Sequence, residues 1–118
     1  MTAGVEIKCD VQYCPGVQVW AVVYNNIVLV RLCIDCLRKL SAGATRILED
    51  GRRISMRYIQ PGENKLCTVE GCVDHAVQYM RIDRLDGRPL EVYLCLDHDQ
   101  TNEALRLPNC SILYIFTT

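Results

Sequence analysis

The sequence has no long hydrophobic segment and no excess of charge of either sign. No run in its 118 residues reaches the 18 or more apolar residues of a membrane span, so we expect no transmembrane helix. The first residues show no basic region followed by an apolar run, and we expect no secretory signal. Thirteen basic residues against 14 acidic ones, with a pI near 6.1, lack the basic excess of a dedicated nucleic-acid binder. We therefore expect a cytoplasmic, globular protein.

Histidine is scarce as well, because the chain contains only His75 and His98. This scarcity excludes the multi-histidine clusters found in many catalytic sites. No pair of carboxylates placed for acid and base work stands out either. The sequence therefore predicts a protein without enzymatic activity.

Cysteine is abundant by contrast, and its spacing reveals an internal repeat. The first set reads Cys9-x4-Cys14, then 18 residues, then Cys33-x2-Cys36. The second reads Cys67-x4-Cys72, then 22 residues, then Cys95-x2-His98. Residues 30–36 match residues 92–98 in their apolar, Asp and ligand positions. The second set has four more residues than the first between its two ligand pairs. We align residues 17–19 with residues 77–79, which places part of this difference after the first ligand pair and part in the hairpin turn.

The exchange of Cys36 for His98 decides which chemistry the repeat favours. Thiolate and imidazole both serve as tetrahedral zinc ligands, whereas a histidine cannot replace a cysteine in a disulfide. Clustered thiols in a reducing compartment usually bind metal or perform redox chemistry. The sequence thus predicts two structural Zn²⁺ ions per chain, one held by four cysteines and one by three cysteines and a histidine. The predicted ligands are Cys9, Cys14, Cys33, Cys36, Cys67, Cys72, Cys95 and His98.

Several alternatives remain open for these residues. The cysteines could form disulfides or remain buried free thiols. An iron–sulfur cluster could occupy the first, all-cysteine site. Cys33-x2-Cys36 also has the spacing of a thioredoxin-like redox motif, although no βαβ context accompanies it. His75 could replace His98 as the fourth ligand of the second site. Cys110 has no counterpart in the first repeat and is read as a buried apolar residue.

The pattern between and after the ligands predicts an α+β fold of two tandem zinc-stabilised units. Residues 18–24 and 27–32 form one β-hairpin, and residues 76–84 and 90–94 form another. A short helix follows each hairpin, with Leu37 and Leu40 or Ala104, Leu105 and Leu107 as its apolar stripe, ended by Gly43 or Pro108. Additional strands cover residues 45–48, 53–59 and 111–116. The expected units are residues 5–60, with an extra hairpin, and residues 61–118, with a C-terminal strand.

This layout resembles the treble-clef class of zinc fingers. Residues 67–72 together with residues 94–98 are similar to a small knuckle module of bacterial and bacteriophage proteins, often found beside HNH nuclease domains. The resemblance implies a knuckle, a β-hairpin and a helix that carries the last two ligands. It does not extend to nuclease activity, because the chain has no His-Asn-His set.

The sequence gives two predictions for a partner. The near-neutral charge and apolar strands favour a protein, bound between the repeats or at an exposed strand edge, and a homodimer is an alternative. The second candidate partner is a nucleic acid, contacted by a basic segment in the more positive half of the chain. The arginines of this segment are Arg46, Arg52, Arg53 and Arg57. Trp20, Tyr24 and the apolar tail are expected in the core.

Overall fold

A computed structural model of the protein describes residues 7–98, 105–107 and 110–114. The described residues form a small α+β fold with two antiparallel sheets and one short helix. The elements are β1 (Trp20–Tyr24), β2 (Ile27–Leu32), α1 (Ile34–Ser41), β3 (Arg46–Ile47), β4 (Arg53–Tyr58), β5 (Ala76–Ile82), β6 (Leu90–Cys95), β7 (Leu105–Leu107) and β8 (Cys110–Tyr114). No helix in this part of the chain is long and apolar enough to cross a membrane.

The two sheets each combine strands from both halves of the chain. The strand order is β2-β1-β8-β7 in the first sheet and β3-β4-β5-β6 in the second. The β3–β4 hairpin, which follows the first ligand set, therefore pairs with β5 of the second set. The β7–β8 hairpin, which follows the second ligand set, pairs with β1 of the first. Strands on either side of residue 60 thus share hydrogen bonds in both sheets.

The strand register shows that this exchange is symmetric. Trp20 lies opposite Leu32, and Gln78 lies opposite Leu94, in the two ligand-bearing hairpins. Trp20 also faces Tyr114 on β8, while Gln78 faces Tyr58 on β4. Gln78 therefore occupies in the second half the place that Trp20 occupies in the first.

This register corrects the sequence alignment within the repeat. Since Leu32 and Leu94 each precede a ligand, Trp20 corresponds to Gln78, a separation of 58 residues that also relates the two knuckles. The four-residue difference consequently lies at the far end of the hairpins: seven residues join β5 to β6 against two between β1 and β2, and the bulge in the first hairpin offsets one residue. Aligning residues 17–19 with residues 77–79 was wrong because similar apolar letters do not fix hydrogen-bond register.

Each exchanged hairpin also bonds to the knuckle of the unit that precedes it. The Gln12 backbone N–H donates to the Ile47 carbonyl oxygen at 3.0 Å, and the Glu70 N–H donates to the Arg106 oxygen at 2.9 Å. Both hairpins therefore connect one knuckle to the sheet of the other unit.

In the described part of the chain, one hydrophobic core lies beneath both sheets. Val22, Val30, Ile54, Ile82 and Ile112 are each at most 2% exposed and belong to one contiguous cluster. Helix α1 adds Leu37 and Leu40 to this cluster, begins at the capping residue Cys33 and is followed by Gly43 at φ 99°. Trp20 is also buried, as expected.

The second helix is corrected within the described residues. Leu105 and Leu107 are buried on either side of the exposed Arg106, and all three belong to strand β7. This alternation has the period of a strand, and pairing with β8 satisfies the backbone. Ala104 and Pro108, assigned to the same helix, lie outside the described residues, as do residues 115 and 116 of the tail.

Candidate metal centres

The knuckles that carry the first two ligands of each set have the same backbone geometry. The Cys9 N–H donates to the Gly16 oxygen at 2.8 Å, and the Cys67 N–H donates to the Asp74 oxygen at 2.9 Å. The residue before the second cysteine has a positive φ in both, 60° at Tyr13 and 80° at Gly71. Each knuckle is therefore a closed loop that directs two sulfur atoms to one side.

A polar side chain at the second position of each knuckle fixes it to its hairpin. Asp10 Oδ2 accepts from the Arg31 N–H at 2.8 Å, and the Asp10 N–H donates to the Arg31 oxygen at 2.9 Å. Thr68 takes the same role toward Tyr93, with its Oγ1 accepting from the Tyr93 N–H at 3.1 Å. These two residues were missed in the sequence, where the only signal is their equal position after the first ligand.

The first cluster brings together the four cysteines that the spacing selects. The ligand atoms of Cys9, Cys14, Cys33 and Cys36 all lie within 4.8 Å of one another. Cys14 Sγ is 3.6 Å from both Cys33 Sγ and Cys36 Sγ. Four sulfurs at about 2.3 Å from a tetrahedral metal ion would be separated by roughly 3.8 Å. The cluster therefore has the size that a metal ion requires.

The helix N-terminus contributes to this first cluster. Cys33 is the N-cap of α1, and its sulfur accepts from the Cys36 backbone N–H at 3.4 Å. The partial positive charge at a helix N-terminus stabilises thiolate. Burial raises the pKa of Cys9 and Cys36, whereas the Gly16 backbone N–H lowers the pKa of Cys14. A bound cation would favour the thiolate form of all four.

The second cluster consists of Cys67, Cys72, Cys95 and His98. Its four ligand atoms also lie within 4.8 Å of one another. His98 Nδ1 is 3.4 Å from Cys67 Sγ and 3.2 Å from Cys95 Sγ, and Cys72 Sγ is 3.8 Å from Cys95 Sγ. The Nδ1 atom is thus the nitrogen that faces the site. His75, the other histidine, lies outside this cluster and pairs with Leu66 in an isolated bridge.

The remaining cysteine does not join either cluster. Cys110 is 5% exposed in β8, and its burial raises the pKa of its thiol to about 11. None of the eight cysteines forms a disulfide. The interpretation of Cys110 as a buried apolar residue is consistent with this environment.

The four arginines of the basic segment do not form one patch. Arg53 and Arg57 are exposed on β4, but Arg52 Nε bonds to Asp50 Oδ2 at 2.8 Å. Arg46 is half-buried, and its Nε is buried without a hydrogen-bond partner among the described residues. Only Arg53 and Arg57 are therefore presented together, and their contact with nucleic acid stays a prediction.

Comparisons of the chain with protein-family models, with curated proteins and with solved structures found no match. The function therefore rests on the geometry of the described residues. That geometry provides two groups of cysteine and histidine ligands, each positioned to hold a metal ion.

Proposed function

We propose that each cluster holds one structural zinc ion and that the chain is a non-catalytic, zinc-dependent interaction module. The observation that carries this proposal is the convergence of four sulfurs in one cluster and three sulfurs with one imidazole nitrogen in the other. Sulfur and nitrogen donors in tetrahedral sets favour zinc, and the histidine argues against an iron–sulfur cluster in the second site. Four protein ligands leave no position for a catalytic water.

The order of elements supports a treble-clef type for the first unit. Its knuckle, the β1–β2 hairpin and helix α1 follow in that order, and the last two ligands lie at the start of the helix. The second unit shares the knuckle and the hairpin. A structural zinc ion contributes on the order of 10 kcal/mol of apparent binding free energy, enough to decide whether so small a fold is stable.

Elemental analysis combined with native mass spectrometry tests the metal assignment. We expect two zinc ions per chain, and we expect the circular dichroism of the folded protein to disappear with a strong chelator and return with added zinc. A chain that stays folded without metal, or that carries iron at the first site, would contradict the proposal. The same mass measurement reports whether the chain is a monomer or a homodimer.

A protein partner is supported by an exposed apolar groove beside an edge strand. β2 is an edge of the first sheet, and Ile27 and Val28 on it are 65% and 37% exposed. Leu85, 77% exposed, lies across a groove of about 350 Å³ that these residues line with Tyr24 and Arg84. Edge strands offer backbone groups for pairing with an added strand.

Affinity capture from cells that make the protein tests this proposal. The substitutions Ile27→Glu and Leu85→Glu should abolish recovery of a partner without changing the zinc content. Recovery of the same proteins by both the wild type and the variants would argue against the groove.

A nucleic-acid partner is the second candidate, and a specific observation favours it. Arg53 and Arg57 share the outward face of β4, and the next two strands place Tyr79 and Tyr93 in line with Arg57. This face, rather than the whole basic segment, is where we expect such a partner.

A further inference from the structure

The outward face of the second sheet carries a row of side chains that crosses three strands. Arg57 on β4 lies opposite Tyr79 on β5, which lies opposite Tyr93 on β6. The Arg57 guanidinium is 4.7 Å from the centre of the Tyr79 ring, and the two tyrosine rings are 5.1 Å apart. The Lys65 ammonium is 5.6 Å from the Tyr93 ring. We call these four residues the aromatic row. In it, the two tyrosine rings lie between the Arg57 guanidinium and the Lys65 ammonium.

A polar pocket adjoins the aromatic row on the same face. Arg53, Ser55, Arg81 and Asp83 line this pocket together with Thr45, and its volume is about 240 Å³. Ser55 on β4 is paired directly with Arg81 on β5. This pair lies two positions along the strands from the Arg57–Tyr79 pair. Residues two apart along a strand are separated by about 7 Å. Two guanidinium groups and two hydroxyl groups therefore lie within reach of any ligand stacked on the row.

The carboxylates of this face are already engaged by neighbouring groups. Glu63 lies 2.9 Å from an Arg57 nitrogen, and Asp83 lies 3.7 Å from Arg81 Nε and accepts from the Arg53 backbone N–H. Glu91 is 3.5 Å from the Tyr93 hydroxyl. The side chains of Arg57 and Arg81 are 50% and 53% exposed, and ion pairs formed by such solvent-accessible groups are weak. Phosphate oxygens can therefore replace the carboxylates as partners of the guanidinium groups.

We propose that this face binds single-stranded nucleic acid, with bases stacking on Tyr79 and Tyr93 and phosphates contacting Arg53, Arg57 and Arg81. Aromatic rings interleaved with cations are the combination that single strands require, because every base has a face to stack and every nucleotide has a charge. The bases of a duplex are already stacked on one another. The inference deepens the second candidate function and rests on the proposed zinc sites only for the fold of the sheet.

Fluorescence anisotropy with a 5′-fluorescein-labelled oligothymidylate of about 12 nucleotides, spanning at least one typical site size, tests this inference. We expect Tyr79→Leu to weaken binding by about tenfold or more because a stacking surface is lost. Tyr79→Phe keeps the ring and should bind like the wild type. Arg53→Gln and Arg81→Gln should each lower the slope of log affinity against log salt by roughly one. Tyr58→Leu is the matched control, since Tyr58 is 56% exposed on β4 and alternation along the strand places it on the other face from Arg57.

Metal content measured on each preparation separates failure of this inference from failure of the zinc proposal. A wild-type protein with two zinc ions and no affinity for the oligonucleotide overturns the inference alone. Equal affinity for a duplex, or an unchanged affinity of Tyr79→Leu, also overturns it, because binding would then be general electrostatic attraction. If a chain without metal still binds the oligonucleotide, the zinc proposal is contradicted, but the assignment of this face to single-stranded nucleic acid stands.

Discussion

The two ligand clusters differ in both their donor atoms and the backbone that carries them. In the first cluster the last two ligands are Cys33 and Cys36, at the N-terminus of α1. In the second they are Cys95, at the end of β6, and His98, in a turn. Cys36 is buried, whereas His98 is only half-buried.

This difference relates net charge to local structure. Four thiolates and a divalent cation carry a net charge of −2, while three thiolates and a neutral imidazole carry −1. The partial positive charge of a helix N-terminus supports the more negative set. The less negative set has its last two ligands at a strand end and in a turn, as far as the described residues extend. The repeat thus keeps the ligand geometry, and the first site places a helix N-terminus beside the more negative set.

The largest effect is expected when a ligand is removed from one cluster only. Cys36→Ser should lose the first metal ion, a loss on the order of 10 kcal/mol in apparent binding free energy. Because each sheet contains strands from both halves, we expect the second half to unfold in the same transition. Thermal unfolding followed with the metal content per chain measures this effect.

The matched control for this prediction exchanges donor types rather than removing one. Cys36→His and His98→Cys should each keep two metal ions, because both side chains are competent ligands. Two separate unfolding transitions in Cys36→Ser, the second at the wild-type temperature, would show instead that the halves are independent.

An intermediate effect is expected where the first cluster is packed more tightly than the second. A Cβ atom at Gly16 would lie 2.6 Å from both Cβ and Sγ of Cys33, so Gly16→Ala must displace a ligand. Overpacking of this kind costs about 1–3 kcal/mol. Competition with a chromogenic chelator should show weaker metal binding at the first site.

The equivalent position in the second knuckle provides the control for this substitution. Asp74 already has a Cβ atom where Gly16 has none, so Asp74→Ala creates no overlap with a ligand. It removes only a carboxylate oxygen 3.9 Å from Cys72 Sγ, and it should change chelator competition less than Gly16→Ala. If the two substitutions weakened metal binding equally, the close packing of Gly16 against Cys33 would not be what limits the first site.

The smallest effect is expected at the positive-φ position of the two knuckles. Tyr13 adopts φ 60° at a place where the second knuckle has Gly71. A side chain in this conformation costs about 1–2 kcal/mol. Tyr13→Gly should therefore raise the free energy of unfolding, by about 0.5–1 kcal/mol after the entropy cost of glycine, and Gly71→Ala should lower it. Urea unfolding midpoints measure both changes, and a lower midpoint for Tyr13→Gly would contradict the argument.

Local patterns predicted much of the ligand-bearing structure. The spacing of cysteines selected the residues that converge, and the turn residues between alternating segments located the two hairpins, because both signals act over a few residues. The second helix was wrong at Leu105 and Leu107. A spacing of two residues suits a strand, but three residues are too few to predict one without the pairing with β8 that the structure shows.

The basic segment shows that arginines close together in the sequence need not be presented together on the surface. Adjacent letters suggested one basic patch, yet Arg46 is half-buried, Arg52 is held by Asp50, and only Arg53 and Arg57 face outward together. Their neighbours on that face come from β5 and β6. Arg53 and Arg57 are four residues apart on one strand and therefore share a face, but the strand that pairs beside them could not be deduced from the sequence.

By itself, the sequence determined which residues can hold metal, because ligand type and spacing are local properties of the chain. Tertiary structure alone decided that the β3–β4 and β7–β8 hairpins pair with the opposite halves. An apolar hairpin can cover the sheet of its own unit or that of the other, since both offer a free edge and a hydrophobic face. The choice depends on how all the faces pack at once, and this joint packing created both the single core and the face that carries Tyr79 and Tyr93.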